Sequence, residues 1–488
     1  MGARPFTVAI IGGGFSGAVA AIKLLDTAAG RPLRVRIIEP RPEVGRGLAF
    51  STADPAHYLN APARLFSVHA DRPDHLVHWL KVQDAAADIP LPASGQIADA
   101  FVPRQLYGAY VRAELARAQA EAGVNGIVEH LRAEAVDLAV DPAEDGTGGV
   151  RATLSDGQTI SADVALLATG FAGNRPGFAV SESAVADRRY VADPWTLADQ
   201  GVPREGTVLF VGGGLTMLDA LVTLERKGFR GTYVSVSRHG LLVHERREPP
   251  PARDFLGDAH PGSARALLAH VRRELRDIAA SGGDRQSVVP IIRARIASLW
   301  SGASPAERAR FNRHLRRYWE LALHRSPQPS VETFAAVLAQ GRVTTRAGRI
   351  EAVGTAPDGR AEVQLRPRGG TRTENVAADL VVNCTGAEYA WPRQQGRPLA
   401  ANLLARGTVR PGGLGYGIDV DADAAVLDRA GIASGRLYGI GPILRGTRWE
   451  STTIAEIVAQ ATAFADHVAD RHLARRAPAT SPSRASAA

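Results

Sequence analysis

The sequence predicts an α/β fold of two parallel-sheet units, the first discontinuous along the chain and the second carrying a helical insertion. Three observations lead there. Residues 8–11 (Val-Ala-Ile-Ile) and 208–211 (Val-Leu-Phe-Val) are short apolar runs of the kind that fill a doubly covered parallel sheet. Each runs into a glycine turn, Gly12-Gly-Gly14-Phe-Ser-Gly17 and Gly212-Gly-Gly214-Leu-Thr-Met217, and each turn opens an Ala/Leu-rich segment with helical spacing. A second apolar strand follows each helix, ending at Glu39 in the first case and at Ser237-Arg238 in the second.

In chain order, residues 5–39 read as strand, turn, helix and strand. Residues 40–105, rich in Pro, Gly, His and Asn, read as ordered loops with short helices, and a helix follows over about 104–122. A strand-rich stretch holds the hairpin signal Arg151-Ala-Thr-Leu-Ser-Asp-Gly157 and ends at Ala168-Thr169-Gly170. The second strand–helix–strand unit spans 206–238. An Arg-rich region of helical spacing covers 260–340 and reads as a solvated helix face or, alternatively, a binding surface for a carboxylate substrate. Strands resume at 343–367 and again before Cys384-Thr385-Gly386, and a last helix begins near 450. The expected divisions are 1–205 and 376–473 for the two parts of the first domain and 206–375 for the second, with its insertion at 250–340. Residues 474–488 read as a disordered tail.

With 488 residues and 45% hydrophobic content, the chain can bury two or three domain cores. The net charge of +8 comes mostly from arginine and suits anionic ligands. No basic block interleaved with aromatics is present, so nucleic acid is not expected. The single cysteine, Cys384, rules out an intrachain disulfide, a CxxC redox pair and a cysteine-rich metal site. His270, His314 and His324 lack ligand spacing, so no metal is expected. No apolar run is long enough to span a bilayer and no signal-peptide pattern stands at the N-terminus, so a cytoplasmic protein without membrane contact is expected.

The glycine turns carry the chemistry. In a Rossmann-like dinucleotide-binding domain the first glycine makes the turn, the second admits a pyrophosphate and the third lets helix and strand pack. Gly12, Gly14 and Gly17 fit these roles. Phe15 and Ser16 open the helix whose free N–H groups face the phosphates. Glu39 ends the second strand, where a carboxylate accepts from a ribose hydroxyl and repels a 2′-phosphate, so this site suits FAD or NAD. The second turn departs from the pattern, with Met217 in the third glycine position. The helix there is expected to stand slightly further from the strand. Gly212, Gly214, Leu215 and Thr216 would hold the phosphates, while Ser237 and Arg238 replace the strand-end acid. A guanidinium there suits a 2′-phosphate, hence NADPH, unless Arg238 is simply solvated.

Further motifs resemble a known family. Gly45-x-Gly47-x-Ala-Phe50, His57-x-Leu-Asn60-x-Pro62, Phe101-x-Pro-Arg104-x-x-Tyr107-Gly108, Gly214-Leu-Thr-Met-Leu-Asp219 and Leu444-Arg-Gly-Thr-x-Trp449-Glu450 are similar to those of bacterial FAD/NAD(P)-binding proteins. The similarity extends, more distantly, to NADPH-dependent flavin N-hydroxylating monooxygenases. It implies a two-dinucleotide flavoprotein, with FAD at the first turn, Gly47 in a loop near the flavin, and Thr169 and Gly170 at a chain crossing. Gly441-Pro442 stands where many relatives place Gly-Asp, so the ribityl chain needs other partners, such as N–H groups after Gly441. A helix starting near Glu450, Ser451 and Thr452 would point its N-terminus at the flavin pyrimidine edge. His57 and Asn60 would lie over the flavin as catalytic groups or merely stabilise a loop. Arg104, sharing a helix face with Tyr107, would touch a cofactor phosphate or simply pack.

The implied activity is NADPH-driven monooxygenation of a small amine or amino acid by molecular oxygen, through a flavin C4a-hydroperoxide. The alternatives are an NAD(P)H-dependent flavin reductase or dehydrogenase, and a non-catalytic flavoprotein redox sensor. A homo-oligomer is compatible with the chain.

Overall fold

Parallel pairing organises both large sheets in a computed structural model. It describes residues 4–474 apart from 29, 84–86, 88, 142–147, 172, 174–175, 258–261 and 395. The tail expected at 474–488 lies outside the described residues beyond 474. The first sheet has six strands, in the order Ala425–Leu427, Ala433–Gly439, Val164–Leu167, Phe6–Ile11, Leu33–Ile38 and Gly126–Leu131. Its central strands are parallel, with Phe6 opposite Leu33 and Val8 opposite Val164. Phe6–Ile11 is buried at every position, because both faces of the sheet are covered. One face carries the first glycine helix, Phe15–Thr27, with the helices Arg104–Ala122 and Ile454–Val468. The other carries a small antiparallel sheet (Ala135–Val140, Val150–Leu154, Thr159–Ala162) and the helix Pro398–Arg406.

The second sheet runs Glu374–Ala378, Ala361–Pro367, Val343–Thr355, Thr232–Ser237, Thr207–Val211, Leu380–Asn383, Tyr190–Val191, with Ala179–Val180 beside Val343–Thr355. The strands from Val343–Thr355 to Tyr190–Val191 pair in parallel. The edge from Val343–Thr355 outward is antiparallel, so the parallel sheet that was expected carries an antiparallel edge. Five helices between Ala264 and Ala339 form the insertion, placed between the strands Thr232–Ser237 and Val343–Thr355.

Two boundaries move. Leu380–Asn383, expected to begin the second part of the first domain, pairs with Thr207–Val211 in the second sheet. Ala179–Val180 and Tyr190–Val191, expected in the first domain, also belong to the second sheet. Breaks at 205 and 376 therefore do not separate the two sheets. A short apolar strand satisfies either sheet equally well, and only its long-range hydrogen bonds choose. The last helix also starts later than expected. Thr453 caps it by accepting from the Glu456 N–H, so the helix begins at Ile454.

No helix among the described residues is long and apolar enough to cross a membrane.

Candidate functional site

The first glycine turn forms one wall of a cleft of about 570 Å³. Gly12 has φ +108°, and a Cβ there would stand 2.5 Å from the Ala168 carbonyl oxygen, so the turn passes directly over the end of the neighbouring strand. A Cβ on Gly17 would overlap the Gly12 carbonyl, which lets the helix close onto the turn. Gly14 and Gly47 lie backbone to backbone, with a Cβ on Gly47 only 3.0 Å from the Gly14 Cα. Gly14 is the N-cap of Phe15–Thr27 and offers no side chain to it, so the first-turn N–H groups are left for another acceptor. Glu39 ends the next strand. Its carboxylate accepts from Gly13 N–H (2.9 Å) and Arg41 N–H (3.0 Å), and retains lone pairs toward the cleft that it lines.

Of the residues singled out in the sequence, Gly12, Gly14, Phe15, Ser16, Glu39, Gly47, Thr169, Gly170 and Thr452 line this cleft together. Sequence reasoning missed Trp195, from a 3-10 turn in the second unit, and Arg397, at the start of a helix on the far wall. Arg397 makes no side-chain ion pair among the described residues and is free to meet a phosphate. Neither carried a local signal, because each stands more than 150 residues from the first glycine turn in the chain.

The remaining expected residues lie elsewhere. His57, read as a group over the flavin, does not line the cleft. It is 3% exposed, and both ring nitrogens are engaged: Nδ1 with Thr52 Oγ1 at 2.6 Å, and Nε2 with Thr223 Oγ1 at 2.8 Å. Burial holds its imidazole below the usual histidine value. Asn60 also lies off the cleft, and its carbonyl accepts from Arg246 at 3.2 Å. Arg104 meets a carboxylate, Asp219 at 2.8 Å, instead of a phosphate position. Gly441 is buried outside the cleft, with its N–H donated to Gln460 at 2.9 Å, although the adjacent Pro442 does line it. Glu450 accepts from Trp319 Nε1 at 3.0 Å and fastens the insertion to the first unit, and Ser451 is buried behind it. There Arg445 lies between the rings of Tyr389 and Trp449, 4.6 Å from each, and pairs with Glu320 at 3.1 Å.

The second turn repeats the first with differences. Gly212 has φ +122°, and a Cβ would overlap the Cys384 carbonyl. Gly214 caps Leu215–Arg226 without a side-chain bond, and Leu215 and Thr216 form its half-exposed first turn. Met217 fills the core beneath the helix. Ser237 and the exposed Arg238 end the following strand. An unforeseen residue stands over this turn: Arg317, from the insertion, donates to the Gly213 and Leu241 carbonyls at 3.3 and 3.1 Å. Burial lowers His239 first, and the charges of Arg368, Arg238 and Arg317 lower it further. Arg238, Arg317 and Arg368 thus all bring positive charge toward His239 at the end of this strand.

One further group, His69, His75 and Glu114, could present three ligand atoms within 4.8 Å of one another. Its atoms are already bonded. His69 sits between Lys23 (3.4 Å) and Glu114 (2.6 Å), Arg117 donates to Glu114 at 2.9 Å, and His75 meets Tyr110 at 3.0 Å. Arg117 on the carboxylate and Lys23 on the His69 ring suit a hydrogen-bonded network better than a divalent ion.

Residues 9–172 match the family model for FAD-NAD(P)-binding proteins. No curated protein sequence matches the chain. Solved structures match nearly its whole length. The ornithine N-hydroxylase of Kutzneria sp. 744, solved with reduced FAD, NADP+ and L-ornithine, has 13% identity and a TM-score of 0.62, with 96% of this chain and 99% of that one covered. The FAD-bound cadaverine monooxygenase of Erwinia amylovora has 12% identity and a TM-score of 0.65, with 96% and 95% covered. The thioredoxin reductase of Lactococcus lactis has 11% identity and a TM-score of 0.50, with 95% and 97% covered. At these identities the likeness establishes the fold, a two-unit dinucleotide-type architecture.

Proposed function

We propose that this chain is a FAD-dependent, NADPH-using oxidoreductase, and specifically a monooxygenase of a small amine or amino acid. The observation that carries it is the pair of unlike glycine turns in one chain, one followed by a strand ending in Glu39 over a large cleft, the other by a strand ending at Arg238 and covered by Arg317. The fold shared with an ornithine N-hydroxylase and a cadaverine monooxygenase supports the substrate class.

FAD, when bound, supplies the chemistry: it accepts hydride and, once reduced, activates oxygen. The chain's own residues bind, orient and exclude water. The Phe15 and Ser16 N–H groups would receive the pyrophosphate, with Arg397 and Arg46 as counter-charges in the cleft. Glu39 would hold a ribose hydroxyl. Trp195 and Phe50 close the apolar side of the cleft against water. Leu215 and Thr216 would carry the pyrophosphate of NADPH, and Arg238, Arg317 and Arg368 its 2′-phosphate.

Electron transfer through a cysteine pair is not open to this chain. Its one cysteine, Cys384, is buried, and burial raises its thiol far above the usual value. A reductase acting through the flavin alone is the second reading. The purified protein should be yellow, oxidise NADPH faster with the right amine, and place oxygen-18 from labelled O2 in the product. NADPH oxidation without label transfer would leave the reductase. A protein that cannot be loaded with FAD would remove both.

A further inference from the structure

Three motifs noted in the sequence, around His57, Arg104 and Asp219, take no part in lining the cleft, yet they meet at one buried seam. Asp219 and Thr223 lie one turn apart on the same face of the second glycine helix, Leu215–Arg226. Both are buried, at 5% and 3% exposure. Arg104, from the first unit, donates to Asp219 at 2.8 Å and to the Tyr58 carbonyl at 3.0 Å. The Thr223 hydroxyl donates to Asp54 at 2.8 Å, so its oxygen accepts from His57 Nε2–H. The Thr52 hydroxyl then donates to His57 Nδ1, and every polar atom of this chain of bonds has a partner. Both His57 and Arg104 also rest on Trp195, the cleft wall: the ring centroids of His57 and Trp195 are 5.2 Å apart, and the guanidinium carbon lies 5.0 Å from the indole centroid.

We propose that Arg104–Asp219 and His57–Thr223 are positioning pairs, which hold the second nucleotide turn in register with the flavin cleft so that hydride passes between two correctly placed rings. This rests on the function proposed above. The helix is rigid, and Asp219 lies only about 7.5 Å along its axis from Gly214 at 1.5 Å per residue. A shift at the seam is therefore delivered to the turn undiminished. Hydride transfer is sensitive to such shifts, since a misplacement of about 1 Å can cost on the order of a hundredfold in rate. Trp195 gives the seam a direct contact with the cleft as well, so both ends of the transfer path are held by one set of bonds.

The test is anaerobic stopped-flow reduction of the FAD-loaded enzyme by NADPH, comparing wild type with Asp219→Asn, Thr223→Val and Thr223→Ser. Asp219→Asn and Thr223→Val should slow flavin reduction at saturating NADPH by roughly tenfold to a hundredfold. Half-saturating NADPH and bound FAD should stay within about threefold, because neither residue touches a nucleotide. Thr223→Ser, which keeps the hydroxyl, should restore the rate. Reoxidation by oxygen after dithionite reduction should match wild type in all variants. Variants reduced as fast as wild type would overturn the inference, and so would a loss of NADPH or FAD affinity that accounts for the whole effect. Should Asp219→Asn fail to fold, the valine–serine comparison decides alone. A wild-type enzyme that binds FAD but is not reduced by NADPH would instead overturn the functional reading, and this inference with it.

Discussion

On the function proposed above, single residues decide which nucleotide each turn accepts. Glu39 is placed by two backbone N–H groups before any ligand arrives, so its orientation toward the cleft costs nothing further on binding. Glu39→Ala should weaken FAD retention at least tenfold, read as the flavin-to-protein ratio after gel filtration. At the second turn, Arg317→Ala or Arg368→Ala should raise the KM for NADPH about tenfold or more, since a charge-assisted hydrogen bond is worth about 1.5–3 kcal/mol. The KM for NADH, which lacks the 2′-phosphate, should change little. Equal effects on both coenzymes would mean that the arginines support the turn and not the phosphate. Part of this was legible in the sequence and part was not. Glu39 and Arg238 stand at strand ends fixed by their distance from a glycine turn. Arg317 reaches the second turn from 104 residues away and looked like one more solvated helix arginine.

At the scale of elements, the two glycine helices show what local pattern can and cannot fix. Gly12 must adopt φ +108° under the Ala168 carbonyl, and that need is local, so glycine marks it in the sequence. Gly12→Ala should abolish FAD binding, read as the flavin-to-protein ratio, and lower the melting temperature, measured by circular dichroism during thermal unfolding. Unchanged FAD binding would show that the turn relaxes. Strand–turn–helix was readable because a turn and two periodicities suffice to specify it. The partner of each element was not. His57 bonds Thr223 across 166 residues and Arg104 bonds Asp219 across 115, so a histidine expected over the flavin or in loop support and an arginine expected on a phosphate or in packing meet at an inter-unit seam. The strand Leu380–Asn383 joined the other sheet for the same reason.

For the whole molecule, buried histidines set the acid side of stability. Burial holds His57, His75 and His324 below the usual histidine value. Asp219, Arg104 and Asp54 face His57. Glu114, His69, Arg72 and Arg117 face His75, and Glu450, Glu320, Arg445 and Arg293 face His324. The unfolded chain takes up these protons near pH 6.5 and the folded chain resists them, so their contribution is complete above pH 6.5 and is lost as pH falls. Glu114 adds a second loss at lower pH. Burial raises its carboxyl, but hydrogen bonds from His69 and Arg117 outweigh this and hold it at about 2, so stability falls again between about pH 4.5 and 2. The melting temperature should therefore decline from pH 7.5 to 5.5, with a shallower decline in His57→Gln. A melting temperature that rises with acidification would contradict the buried, neutral state of these rings.

The fold class, both glycine turns, the acid that ends one strand and the arginine that ends the other are all written in the amino-acid order. Each depends on backbone geometry or chemistry within some forty residues, which local order encodes directly. Long-range folding alone sets which sheet Leu380–Asn383 enters, that Trp195 and Arg397 complete the cleft, that Arg317 covers the second turn, and that His57 and Arg104 join the units. Those choices depend on which buried polar groups find partners across a hundred residues or more, and no local pattern specifies a partner at that distance.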